Sequence, residues 1–210
     1  CSSDLAFTKS GVSMRIFAPP GRADQCQFAL DCGIRCLEYY DEFFQIPYPL
    51  PKMDMICITE FAAGAMENWG LVTYREVALM VDDKVASAAT KQRVAIVIAH
   101  ELAHQWFGNL VTMEWWNGLW LNEGFAAFCE HFGTDAIYPE YNIWEQYTTG
   151  AFRHAQMLDS MRTSHPIIVP IKNADEVEQV FDAISYCKGS TVVRMVRAVT
   201  GPEAFQKGLQ

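Results

Sequence analysis

Apolar and polar residues alternate over Ser13-Met14-Arg15-Ile16-Phe17-Ala18, the period of a half-buried strand, and Pro19-Pro20-Gly21 closes it. From Ala23 to about Gln45, Phe28, Cys32, Leu37, Tyr40 and Phe44 recur at helical spacing, with Asp24 placed as a cap or first-turn acid. Pro47, Pro49 and Pro51 then force an extended connection. Met53 to Glu60 reads as a strand, and Leu71 to Val81 as another strand or strand pair. Between them, Phe61 to Gly70 crowds small residues around one acid and one amide. A helix containing the apolar run Val94-Ala95-Ile96-Val97-Ile98-Ala99 is expected from a cap at Thr90 to a stop at Gly108. A second runs from a cap at Asn122 to Gly133, with Phe125, Ala126, Phe128, Cys129 and Phe132 on its apolar side. A third covers about 142–160, weakened by Gly150. Residues 162–174 read as a loop. The chain is helical again from Asp175, with a break at Tyr186-Cys187-Lys188-Gly189. Strands first and helices afterwards predict an α+β fold. Its antiparallel or mixed sheet lobe covers about 1–85 and its helical lobe about 86–210, with a cleft between them.

The candidate chemistry sits at the start of the helical lobe. His100-Glu101-Leu102-Ala103-His104 places two imidazoles four residues apart, on one helix face and about one turn from each other. That pair can grip one zinc ion, and Glu123 on the following helix can supply a third ligand, leaving one position for water. Glu101, beside the first histidine, can take that water's proton. Glu130 lies two turns beyond Glu123. It either orients a ligating histidine through the free ring nitrogen or is an exposed helix acid. His131, His154 and His165 lack a companion at ligand spacing. Taken alone, Gly64 to Gly70 reads as a turn with Glu67 in solvent.

Half of the 210 residues are apolar and 20% are charged, so a sizeable core can form. A net charge of −9 argues against nucleic acid as a partner. The seven cysteines form no C-x-x-C pair and read as buried small hydrophobes of a reducing compartment, so a cytoplasmic location is expected. Neither a signal peptide nor an apolar run long enough to span a membrane is visible, so no membrane anchoring is read here. The chain opens on Cys1 and ends on what reads as a helix just begun, as a piece of a longer chain would.

His100 to His104 with Asn122-Glu123, preceded by Gly64-Ala65-Met66-Glu67-Asn68, resembles the gluzincin aminopeptidases, zinc enzymes that remove single residues from peptide N-termini. The likeness continues through Gln105-Trp106-Phe107-Gly108-Asn109, Leu119 to Phe125, and Phe181-Asp182-Ala183-Ile184-Ser185-Tyr186. Tyr48 to Lys52 and Asn109 to Trp116 resemble the puromycin-sensitive group most. The resemblance implies a thermolysin-like catalytic domain over 1–210, with a flanking N-terminal β domain and C-terminal helical domain largely absent. It implies one Zn2+ per chain held by His100, His104 and Glu123, with Glu101 as general base and Tyr186 at the oxyanion. It also implies that Glu67 holds the substrate's α-ammonium, and that Gly64, Ala65, Met66 and Asn68 line the path of the peptide. A related epoxide hydrolase has a second glycine where Ala65 stands. A catalytically silent peptide-binding module of the same fold is the non-enzyme alternative, and here every member of the catalytic set is present.

Overall fold

The computed structural model describes residues 2–210, with side chains from Asp4 onward, so Cys1 lies outside the described residues. A mixed five-stranded sheet comes first. Strand β1 (Ser2–Phe7) pairs antiparallel with β2 (Ser13–Ala18). The hydrophobic pattern conceals β1, because its Leu5 and Phe7 point outward, 55% and 62% exposed. In β2 the alternation holds: Met14, Ile16 and Ala18 face the core. Helix α1 (Gln27–Phe44) then crosses over to β3 (Lys52–Ile58), which runs parallel to β2. The helix buries Leu30, Cys32, Cys36, Leu37, Tyr40 and Phe44, and it ends at Gln45 in the left-handed region.

A short strand, β4 (Ala65–Met66), and β5 (Leu71–Arg75) complete the sheet in the order β1-β2-β3-β5-β4. β5 is parallel to β3, whereas β4 is antiparallel to β5 and forms the open edge. The β4–β5 hairpin turns at Glu67 to Gly70. Gly70 takes a positive φ there, and a Cβ would sit 2.8 Å from Leu50 Cδ1. No second strand follows β5. The chain winds into a single helical turn, α2 (Glu76–Leu79), because the adjacent residues Ala78 and Leu79 both go inward, which a strand's alternation forbids.

Helix α3 (Ala88–Ala103) starts earlier than its expected cap: Ser87, not Thr90, is the N-cap, and its Oγ accepts from Thr90 N at 3.1 Å. Helix α4 (Leu119–Ile137) also outruns both expected ends. Asn122 lies inside it, and Gly133 does not stop it. Gly133 instead makes room for Tyr40, whose hydroxyl would lie 2.7 Å from a Cβ at that position. Further on, α5 (Ile143–Tyr147) and α6 (Arg153–Asp159) are joined through a π turn over Thr148–Phe152, so Gly150 marks a bulge within a longer helical stretch. A second π turn, Ile184–Lys188, leads without interruption into α7 (Gly189–Thr200), and α8 (Pro202–Leu209) follows. The break expected at residues 186–189 is therefore a change of helical pitch.

The core lies where the sheet, α1, α3 and α4 meet. Five cysteines (Cys26, Cys32, Cys36, Cys57 and Cys129) are buried and unbridged, as small hydrophobes would be. Tyr40 is fully buried at the junction of three helices, and its hydroxyl reaches Ala99 O on α3 at 3.0 Å and Cys129 O on α4 at 2.9 Å. Among the described residues no helix is long and apolar enough to cross a membrane.

Candidate metal centre

Helices α3 and α4 pack side by side and bring His100, His104 and Glu123 together, each offering a ligand atom within 4.8 Å of the others. His100 Nε2 lies 3.0 Å from His104 Nε2, and Glu123 Oε2 lies 3.3 Å from each. The opposite ring nitrogens are engaged. His100 Nδ1 meets Glu130 Oε2 at 2.6 Å, and His104 Nδ1 faces Asn122 Oδ1 at 2.7 Å and Phe107 O at 2.9 Å. These partners are acceptors, so each Nδ1 carries the hydrogen and each Nε2 presents a lone pair. Two imine lone pairs and a carboxylate oxygen therefore converge on one point. They repel one another unless a cation sits among them, and nitrogen and carboxylate donors in this number suit zinc.

Acids dominate the electrostatics around the two histidines. Burial pushes the histidine pKa values down, yet the bonds His100 makes to Glu123 and Glu130 hold it well above its ordinary value, and the bond to Glu123 raises His104. Burial pushes Glu123 up, but the two histidines outweigh it and hold the carboxyl far below the usual range. The pocket thus attracts positive charge.

Glu101 is 6% exposed, and its Oε2 has no partner among the described residues. Burial pushes its pKa up to about 7, against the lowering effect of His100 and His104, with Glu67 and Glu123 adding to the rise. A carboxylate poised near neutrality with one free oxygen is equipped to accept a proton. Tyr186 stacks on His100, with ring centroids 5.8 Å apart and planes 11° apart. Burial, then the neighbouring Glu123, pushes its phenol up, so it stays protonated and can donate.

Tyr186 reaches the site because α4 and α7 touch backbone to backbone. A Cβ on Gly124 would lie 2.9 Å from Gly189 Cα, and one on Gly189 would lie 3.0 Å from Gly124 Cα. Glu123 directly precedes the first glycine, and Tyr186 lies three residues before the second.

Gly64 and Ala65, at the β4 edge, line a cleft of about 340 Å³ together with His100, Glu101, Glu130 and Tyr186. Met66, Glu67 and Asn68 do not line it. Asn68 spends its amide inside the hairpin, on Thr73 Oγ1 and Met66 O, both at 3.4 Å. Glu67 is half-buried, and its backbone carbonyl accepts from Asn109 Nδ2 at 2.9 Å. Of the remaining histidines, His131 lines the same cleft, with Nδ1 2.8 Å from Ala127 O and 3.3 Å from Glu130 Oε1, whereas His154 is exposed and His165 pairs with Asp182 at 2.6 Å.

The residue pattern had suggested neither Asn122 as a histidine partner nor any role for Gln105 and Asn109. Asn122 reads as a helix cap because that is the commonest use of asparagine before a helix. The available signal was Gln105, a polar residue four positions after Glu101 with apolar Leu102, Ala103, Trp106 and Phe107 around it. Gly108 completes the arrangement: it takes a φ of +130°, and a Cβ there would meet Asn122 Oδ1 at 2.4 Å.

A mixed sheet with a helical lobe, and a His-His-Glu cluster beside a buried, unpartnered glutamate, define a metallopeptidase-type domain. The peptidase family M1 domain matches residues 28–210, and the chain belongs to that family. It is 55% identical over 205 residues to aminopeptidase M1-C of Oryza sativa subsp. japonica, covering 96% of this chain and 23% of that protein. The alanine/arginine aminopeptidase of Saccharomyces cerevisiae is 52% identical over 210 residues, covering 99% of this chain and 24% of that protein. The puromycin-sensitive aminopeptidase of Caenorhabditis elegans is 51% identical over 205 residues, covering 98% and 22%. The chain thus spans about a quarter of the length of these relatives.

Proposed function

We propose that this protein is a zinc-dependent aminopeptidase that removes single residues from the free N-terminus of peptides. The observation that carries the reading is the convergence of His100 Nε2, His104 Nε2 and Glu123 Oε2 beside the unpartnered Glu101 Oε2. The chemistry a zinc ion supplies in such a site is Lewis acidity toward the scissile carbonyl and the attacking water. Glu101 takes the proton from that water and returns it to the leaving amine. Tyr186 donates its phenol hydrogen to the carbonyl oxygen as negative charge grows there, an interaction worth about 3–4 kcal/mol when preorganised. Glu130 and Asn122 fix the tautomer and orientation of the two histidines. The open edge of β4 offers backbone groups to an extended peptide. Glu67 pairs with the substrate's α-ammonium, which makes the site select chain ends, since a blocked amine would leave that carboxylate without its partner.

Hydrolysis of one short peptide with a free amine, and of the same peptide N-acetylated, tests this. Zinc is present, and Glu101→Gln serves as the control. Cleavage of the free peptide alone, lost in the variant, is expected. Cleavage of both forms would make the enzyme an endopeptidase and remove the role given to Glu67. Cleavage of neither, with zinc bound, would refute the peptidase reading.

A further inference from the structure

Gln105 and Asn109 follow the second histidine of the cluster, and neither touches its ligand atoms. Gln105 is 1% exposed. Its Nε2 donates to Glu101 O at 3.2 Å and reaches Glu67 O at 3.5 Å, and its Oε1 accepts from Gly70 N at 3.3 Å. A primary amide has two N–H hydrogens and one carbonyl, and here all of them are spent on backbone. Asn109 Nδ2 adds a shorter bond, 2.9 Å, to the same Glu67 carbonyl. The β4–β5 hairpin carries no other side-chain bond to α3 or the turn after it among the described residues. Within the hairpin, Asn68 bonds Thr73 and Met66, and at its far end Gly70 O accepts from Lys52 Nζ and Asp54 N of β3, both at 2.9 Å. One buried amide therefore joins the backbone of the proton-accepting glutamate to the backbone of the glutamate at the hairpin tip.

We infer that Gln105 and Asn109 are positioning residues that fix the spacing between Glu67 and Glu101, and so set where the scissile carbonyl falls once the substrate's amine is held. The inference rests on the role proposed for Glu67. An extended peptide advances about 3.3–3.6 Å per residue, so a drift of even 1 Å in the hairpin moves the carbonyl a sizeable fraction of a residue from its attack position. Misplacement on that scale costs about 100-fold in rate without weakening the hold on the amine. Binding and turnover should therefore separate in these variants.

The test measures kcat and KM on a free-amine pentapeptide, per zinc-loaded site, for the wild-type protein, Asn109→Ala, Gln105→Ala and Asn109→Gln. Zinc content and melting temperature are read alongside. Asn109→Ala and Gln105→Ala should lower kcat by about 10- to 100-fold while KM stays within about threefold, the signature of a lost orientation rather than a lost binding contact. Asn109→Gln keeps a carboxamide donor and should recover at least about a third of the wild-type kcat. Asn109 is half-buried, so its variants test the idea even if Gln105→Ala does not fold. An unchanged kcat in both alanine variants, or a fall matched by lost zinc and lost folded protein, overturns the inference while leaving the peptidase reading intact. A wild-type protein that trims no free-amine peptide overturns both.

Discussion

The two walls of the cleft are built on different principles. On the helical wall, the ligating atoms of α3 and α4 are deeply buried, and each ring nitrogen facing away from the cluster has its own acceptor. The hairpin wall is a two-residue edge strand and its turn, with Met66 45% and Trp69 38% exposed, tied by two amides to the segment after α3 and by Gly70 O to Lys52 of β3. Helix packing fixes the helical wall, whereas a few hydrogen bonds fix the hairpin. The groups proposed to break the bond sit on the helix-packed wall and the proposed recognition group on the hairpin, so the two proposed tasks can be altered separately.

Substitutions on each wall can break that contrast. The largest effect is expected for Glu101→Gln, which removes the proposed proton acceptor and should lower kcat by at least about 1000-fold with zinc still bound; metal analysis beside peptide hydrolysis checks it. Glu67→Ala, on the hairpin, should act chiefly on KM and on the preference for a free over an acetylated amine, by about 10- to 100-fold, with the loss of one charge-assisted contact setting the scale. If Glu67→Ala lowered kcat alone, the division of labour between the walls would be wrong. Glu130→Gln returns to the helical wall. It should weaken zinc binding by about 10- to 100-fold in a competition titration with a chelator, because a neutral amide oxygen replaces the charged acceptor facing His100 Nδ1.

Much of the helical wall was legible in the sequence, because a helix converts spacing directly into geometry. His100 and His104 share a face, and Glu130 falls two turns beyond Glu123. Glu130 lies 2.6 Å from His100 Nδ1, where a carboxylate that orients the ring would sit. Little of the hairpin wall was legible. Its placement depends on a sheet order in which β4 folds back beside β5, and on side chains more than 30 residues distant. Strand β1 escaped for a similar reason: its pairing with β2, not an alternating pattern, makes it a strand. Gly133 shows the same limit, since a glycine that admits a tyrosine reads in sequence like a helix stop.

Smaller effects test the packing beneath the helical wall. Gly124→Ala drives a methyl into the Gly189 backbone, and such overpacking costs about 1–3 kcal/mol. Thermal unfolding should show a loss of several degrees, and kcat should fall as Tyr186 shifts with α7. A normal melting temperature with normal turnover would mean that the helices can slide apart at no cost. Asp54, in the central strand β3, gives the mildest case. Burial pushes its carboxyl up, but hydrogen bonds from Arg15 and Lys52 outweigh burial and lower the folded-state pKa below the ordinary value of about 3.9. That contribution to stability is fully present above about pH 4 and is lost as the pH falls through the folded value. Asp54→Asn should therefore be less stable than wild type at neutral pH, by less than Gly124→Ala, and denaturant titrations should show the gap closing in acid.

Tyr40 carries a consequence for the order in which the molecule assembles. Its hydroxyl meets the carbonyls immediately before His100 and Glu130, 59 and 89 residues along the chain. Contacts across such separations close slowly, because the entropy of a long loop is lost before any contact rewards it. Neither helix alone holds a complete donor set, and the two are brought into register on the phenol of α1. In refolding, the uptake of zinc should therefore lag the appearance of helical signal, and a side chain with no part in the chemistry sets the clock for the first moment at which the chemistry can occur.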